Sequence, residues 1–311
     1  MISEFRLMLP RMMQRVPGLG AVGRRMEFAH TFRTERVLLA GQSLRAPDLP
    51  SVLFFTIHKC ASVFTAALLK RLAAEGGLQI ADFDSYRFRG GKLDGDLEDP
   101  EGLGGIAYRE RGVFYGPLRN VIAGIRNLDH YRVILMLRDP RDVLVSHYFS
   151  IVNSHSIPVE ENPAKARKLL EDREAASQMG IDEHVLKSAV RLAERYRAYV
   201  DQLVGRPGIL LLRYEEMVTD FPEWLARVCG AFPFSISEAT IASLTHQTEF
   251  AVEEDVSRHK RQVTPGDHRR KLRADTITQL DEMFAESMTA LGYSQDGWAP
   301  NAGGTPDSDR A

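Results

Sequence analysis

The sequence predicts an α/β fold of three layers, with helices on both faces of a central, mainly parallel sheet. Two observations predict it. Apolar, β-prone runs recur at residues 52–57, 133–137 and 208–212, and each is followed by residues with helical spacing. Runs without polar alternation suit strands covered on both faces, and strands that alternate with helices build parallel sheets. A third observation sets the scale: 311 residues, 44% hydrophobic and 26% charged, are ordinary for a soluble globular protein and suffice for one α/β domain with insertions.

The elements follow in order. Pro47 and Pro50 separate an N-terminal segment from the first strand. Residues 62–74 have helical spacing and stop at Gly76-Gly77. Residues 78–83 read as a short second strand, and 89–105, rich in Gly, Asp and Glu, as a surface loop. Residues 112–115 read as a third strand ended by Gly116-Pro117. After the buried strand at 133–137, Pro140 sits in the first turn of a helix that runs to about Ile151. Residues 160–202 are charged and helix-forming, with a break near Gly180. Helices are expected near 222–231, 237–244 and 274–291, and a Gly-, Pro-, Asp- and Asn-rich disordered tail from Asp296. The chain thus divides into a basic, helical arm (1–46), one domain (47–295) and a tail (296–311).

The net charge of −2 gives no polyanion-binding signature, so nucleic acid is not expected as a partner. Cys60 and Cys229 have no metal-ligand spacing and read as reduced thiols of a cytoplasmic protein. No stretch reaches the roughly 18 apolar residues of a membrane helix. Arg6, Arg11 and Arg15 interrupt every candidate secretory core. Residues 1–46 carry eight arginines against Glu4, Glu27 and Glu35. Such an arm can lie on an anionic membrane surface, grip a partner, or pack on the domain as a solvated helix. The sequence leaves these open, and it does not reveal the oligomeric state.

The chemistry concentrates in two strand-to-helix turns. The first reads Thr56-Ile-His-Lys-Cys-Ala-Ser-Val-Phe64. A helix N-terminus presents unpaired amides at the positive end of its dipole, and a phosphate fits there. Lys59 sits in that turn, Ser62 adds a hydroxyl, and small residues at 60–62 let backbone approach a ligand. The alternative is an ordinary helix cap by Ser62. The second turn reads Arg138-Asp-Pro-Arg-Asp-Val-Leu-Val-Ser-His-Tyr-Phe149. Arg138 ends its strand where open α/β sheets place ligands, and Ser146, two turns into the helix, can face the same way. An Arg fork with a hydroxyl is a phosphate cradle; the alternative is a structural ion pair of Arg138 with Asp139 or Asp142. No Walker pattern is present.

The second turn closely resembles the 3′-phosphate signature of sulfotransferases that use 3′-phosphoadenosine 5′-phosphosulfate (PAPS), and the first resembles their 5′-phosphosulfate loop. The resemblance implies a P-loop NTPase-like sulfotransferase fold. It implies a PAPS-binding set of Lys59, Cys60, Ala61, Ser62, Val63, Phe64, Arg138 and Ser146, with Phe64 stacked on adenine. Three later segments fit more loosely: Tyr214 near the base, Thr248 and Phe250 beside adenine, and Arg261 in a loop over the 3′-phosphate. Together the motifs span roughly residues 50–292. Ala61 stands where the family has Gly, and Val63 where it has a second Thr. Gln262-Val263 and His268 replace Lys-Gly and Trp in the closing loop.

The implied reaction moves a sulfuryl group from PAPS, the co-substrate, to a hydroxyl or amine, without a metal. Lys59 would stabilise the departing phosphate. The cytosolic branch takes its base from a K-x-H motif, which residues 113–119 lack. Other branches use a carboxylate after the second strand, so Asp84, then Asp82, are the candidates, with His58 beside them. Turn capping is the alternative for both aspartates. The acceptor is not written in the motifs; the polar 87–111 and 152–185 segments lean toward a carbohydrate or glycolipid. Two rival readings are a small-molecule kinase, which should carry a metal-holding hydroxyl where Cys60 stands, and a non-catalytic PAPS-binding protein.

Overall fold

The computed structural model describes residues 20–154, 163–246, 264–294 and 297–298. Helices α1 (Gly20–Thr31) and α2 (Arg33–Leu39) precede β1 (Val52–Thr56), α3 (Ser62–Glu75), β2 (Gln79–Ala81), α4 (Phe83–Phe88) and α5 (Leu103–Ala107). Then come β3 (Val113–Leu118), β4 (Arg132–Leu137), α6 (Pro140–Phe149), α7 (Pro163–Met179) and α8 (Ile181–Gln202). The rest is β5 (Ile209–Arg213), α9 (Tyr214–Thr219), α10 (Phe221–Gly230), α11 (Glu238–His246), α12 (Asp267–Lys271) and α13 (Ala274–Ala290).

The five strands form one parallel sheet in the order β2-β3-β1-β4-β5. Successive side chains of a strand point to opposite faces. Leu53 and Phe55 of β1 therefore join Val133 and Leu135 against α8 and α13, where Tyr196, Tyr199, Leu280 and Phe284 are buried. Val52 and Phe54 join Ile134 and Met136 against α3, α9 and α10, with Leu69, Met217 and Trp224. The three-layer expectation holds.

Three local expectations change. The second strand stops at Ala81, because the Asp82 carboxylate accepts from the Ser85 amide and starts α4. The third strand runs through Gly116-Pro117 to Leu118. Its neighbour β2 pairs only as far as Tyr115, so Pro117 lies where that side needs no N–H donor. At the end of the expected 89–105 loop, α5 forms. Within the basic arm, Leu38 is fully buried and Glu35 accepts from the Asp82 amide, so α2 packs onto the sheet side of the domain.

Candidate active site

The sheet order sets the site. The chain leaves β1 toward β2 and leaves β4 toward β5 on the other side, which opens a crevice between these two adjacent strands at their carboxyl ends. Thr56 pairs with Met136 there. Lys59 and Arg138 follow directly, and an Arg138 Nη1 donates to the Lys59 carbonyl at 3.3 Å. The two turns singled out in the sequence therefore touch.

The first turn is built from backbone. Lys59 and Ala61 both take positive φ, at 72° and 51°, an arrangement that costs an L-residue about 1 kcal/mol each. Ala61 is the N-cap of α3 and makes no side-chain cap bond. The Thr65 amide is the first to bond back, to the Ala61 carbonyl, at 3.0 Å. Among the described residues no acceptor meets the amides of Ser62 and Val63. Adjacent free N–H groups make an anion-binding concavity. Ser62 is buried, yet it does not cap its own helix; Val63 is exposed. The Cys60 thiol is buried in the core, which pushes its pKa up. Among the described residues the Lys59 ammonium meets no carboxylate. Burial, then the charge of Arg138, push its pKa down to about 8.

The second turn is built from side chains. Arg138 is buried, with its guanidinium carbon 4.2 Å from the Tyr214 ring centroid and Nη2 3.6 Å from Asp142 Oδ2. Burial opposes its charge, but Asp142, Tyr214 and Glu215 outweigh burial and raise its pKa. The Tyr196 hydroxyl donates to the Arg138 carbonyl, and Tyr199 donates to the Thr56 carbonyl at 2.8 Å. Asp142 also accepts from the Gly266 amide (2.7 Å), the His268 amide (3.0 Å) and His268 Nδ1 (2.7 Å). Burial alone would raise its pKa, but His268 and Arg138 hold it well below the carboxylate range. Ser146 is one turn beyond Asp142 on α6 and thus on the same face. The ion-pair reading of Arg138 and the ligand reading both fit: Asp142 sits beside one Nη, while Nε, buried, has no partner among the described residues.

Two carboxylates and a histidine are the candidate bases. Asp82 is engaged: Lys70 Nζ lies 2.6 Å from Oδ2, and the Ser85 amide and hydroxyl each donate to it at 2.9 Å. Asp84 is more open and accepts from Arg119 Nη1 at 2.9 Å. His58 is pushed down to about 3, first by burial and then by Arg119, Arg195, Lys59 and His147. His147 of α6 stacks on His184 of α8 at 5.9 Å. Phe64 lies 6.2 Å from the Phe221 ring. Thr248, Phe250 and Arg261 lie outside the described residues. Among the described residues no group of three or more His, Cys, Asp or Glu side chains could hold a metal ion.

Sequence reading missed Glu215 as part of this site; it offered Asp142 only as an ion-pair partner of Arg138 and His268 only as a departure in the closing loop, not the bond between them. Glu215 accepts from the Asp139 amide (3.0 Å) and the Tyr293 hydroxyl (2.7 Å), and burial pushes it up to about 7. It is legible only as a neighbour of Tyr214; nothing in a linear pattern says that it reaches back to the Arg138 turn.

The family described as "Sulfotransferase domain" matches residues 126–292, more than half of the chain. The chain belongs to the sulfotransferase family. Sulfuryl transfer from PAPS is its reaction class. The matched span holds Arg138, Ser146 and Tyr214 of this sulfotransferase; the Lys59 turn lies before it. Three solved structures are similar. A mouse sulfotransferase complexed with PAP (3′-phosphoadenosine 5′-phosphate) is 16% identical, with 82% of this chain and 89% of that one covered and a TM-score of 0.49. Retinol dehydratase with retinol and PAP is 15% identical over 82% and 86%, with a TM-score of 0.43. Retinol dehydratase with androsterone and PAP is 16% identical over 86% and 88%, with a TM-score of 0.44. No curated protein matches significantly.

Proposed function

We propose that this sulfotransferase binds PAPS across the carboxyl ends of β1 and β4 and transfers its sulfuryl group to a hydroxyl or amine of a carbohydrate or glycolipid. The contact between Arg138 and the Lys59 carbonyl carries the reading, because it sets the two anion cradles side by side. The residues fit a bis-anionic nucleotide. Among the described residues, free amides and an ammonium without a carboxylate partner stand at one end, and a buried Arg with an open Nε stands at the other.

The roles follow from chemistry. The amides of Ala61, Ser62 and Val63, with Cys60 in the turn, hold the 5′ end, and Lys59 stabilises negative charge as the phosphate departs. Arg138 and Ser146 hold the 3′-phosphate, which separates PAPS from ATP. Phe64 and Tyr214 flank the base, joined by Thr248 and Phe250, while Arg261 covers the 3′-phosphate. Asp84 accepts the acceptor's proton, and Arg119 fixes its orientation. Asp82 is a weaker candidate because Lys70 and the α4 cap occupy its carboxylate. His58 is neutral near pH 7 and a weak base on its own. The chain works in the cytoplasm, with α1 at an anionic membrane surface; Arg24, Arg25 and the exposed Val22 and Met26 support this. Among the described residues no helix is long and apolar enough to cross a membrane.

Thermal-shift titration separates nucleotide classes. PAP should raise the melting temperature at concentrations where ATP does not. An equal shift with ATP and Mg²⁺ would favour the kinase reading instead. Radiolabelled sulfate transfer across a panel of hydroxyl and amine acceptors then tests turnover.

A further inference from the structure

The donor reading leaves Arg195 of α8 unused and gives Arg119 to Asp84 alone. Arg119 stands at the end of β3, on the side of β1 away from β4. The sheet order β3-β1-β4 places Arg119, the His58-Lys59 turn and Arg138 in a row along the carboxyl edge. Neighbouring strands are about 4.8 Å apart. With the 3′-phosphate held over β4 and the transferring group at β1, the acceptor must approach over β3.

Two arginines, Arg119 and Arg195, line that approach. Arg119 follows the end of β3, largely buried, and among the described residues its Nε has no hydrogen-bond partner. Helix α8 closes the wall. Tyr199 of α8 donates to the Thr56 carbonyl at the end of β1, and Arg195, one turn earlier, lies on the same helix face. Farther along that face His184 stacks on His147 at 5.9 Å. Leu118, just before Arg119, pairs with Phe55 next to Thr56, so Arg119 and the Arg195 face of α8 both stand by the end of β1; burial and then Arg119, Arg195, Lys59 and His147 push the His58 pKa down. Among the described residues Arg195 makes no ion pair, and the one carboxylate paired with this row on the β3 side is Asp84. Two partly buried arginines with a single carboxylate between them are costly unless something negative joins them.

We propose that the acceptor itself carries an anionic group, a carboxylate or sulfate close to the accepting hydroxyl, which Arg195 and Arg119 bind. This rests on the donor reading above and narrows its acceptor to acidic molecules. The acid also selects against neutral sugars, since their binding would leave the cations without a counter-charge. Arg119 then serves both the incoming acid and Asp84, which brings the acceptor hydroxyl beside the base.

The test uses the full chain saturated with PAP, titrated with matched acid and neutral compounds: methyl glucuronide against methyl glucoside, and 4-hydroxybenzoate against 4-hydroxybenzyl alcohol. At least one acid should raise the melting temperature further where its neutral partner does not. With PAPS, the acid should be sulfated with a kcat/KM at least tenfold higher. Arg195→Gln should abolish both preferences and keep the PAP shift, and Arg195→Lys should restore part of each. Equal response to acid and neutral members, or no response to either acid, overturns the proposal. A PAP shift lost in Arg195→Gln overturns it too, because the cation would then serve the donor. If wild type shows no PAP shift, the donor reading fails and this one falls with it.

Discussion

The turns after β1 and β4 do the same kind of work with different materials. The first offers backbone amides in a turn with two residues at positive φ, and a lysine that meets no carboxylate among the described residues. The second offers a guanidinium held by Asp142, Tyr214 and the Lys59 carbonyl. Free amides stay charged-ligand donors whatever side chains change around them. A buried guanidinium is only as well placed as its partners. The first turn therefore depends on its backbone conformation, and the second on the partners of one side chain.

Removing the guanidinium should do the most damage. Arg138→Ala leaves Asp142 buried with one charge partner fewer, so stability should fall by about 3–5 kcal/mol and the PAP shift should vanish. Urea denaturation beside PAP titration measures both; an unaltered midpoint would mean that Asp142 is satisfied without it. Lys59→Ala should keep the fold and lose about 10²–10³ in kcat, or roughly 2.7–4 kcal/mol. Turnover at saturating PAPS reads this directly, and wild-type turnover would remove the lysine from the chemistry.

The lysine also sets a pH limit. Its ammonium is lost as pH rises through about 8 rather than the ordinary 10.5. The kcat/KM for PAPS, which reports the free enzyme, should therefore decline above about pH 8. Lys59→Arg should move that limb out of the accessible range. An unmoved limb would assign it to another group.

Behind the second turn, Glu215 gives a smaller effect. Its folded pKa of about 7 lies above its ordinary 4.5, so the native state binds more protons between these values. Its contribution to stability is present below pH 4.5 and is lost as pH rises toward 7 and beyond. Glu215→Gln should flatten that loss and add on the order of 1–3 kcal/mol at pH 8 relative to pH 4.5. Denaturation curves at both pH values check it; parallel behaviour of variant and wild type would exclude Glu215 as the source. Smallest of all, Ala61→Gly should stabilise the first turn by about 0.5–1 kcal/mol, since glycine accepts positive φ without strain. A destabilised variant would show that the strain is not felt there.

Much of this site is legible in the sequence. The runs at 52–57 and 133–137 fix two strands because only sheet interiors suit unbroken apolar segments. Pro140 marks the start of α6, where its missing N–H costs nothing. Lys59, Arg138 and Ser146 stand out because local sequence already dictates a strand, a turn and a helix around them. The limits are equally local. Residues 78–83 read as a strand throughout, but the Asp82 cap ends it. Gly116-Pro117 reads as a stop, but a short neighbouring strand removes the reason to stop.

The sequence by itself determined the alternation of strand and helix, the two cation-bearing turns and the family, because each is written in residues near one another along the chain. Tertiary structure alone decided that β1 and β4 lie side by side and that Asp142, beside Arg138, also binds Gly266 and His268. It alone decided that Glu215 reaches the Asp139 amide, and that Lys70 meets Asp82 while Arg119 meets the more exposed Asp84. Those facts depend on contacts between residues tens of positions apart. Periodicity and turn chemistry carry no information at that range; the packing of two layers on one sheet does.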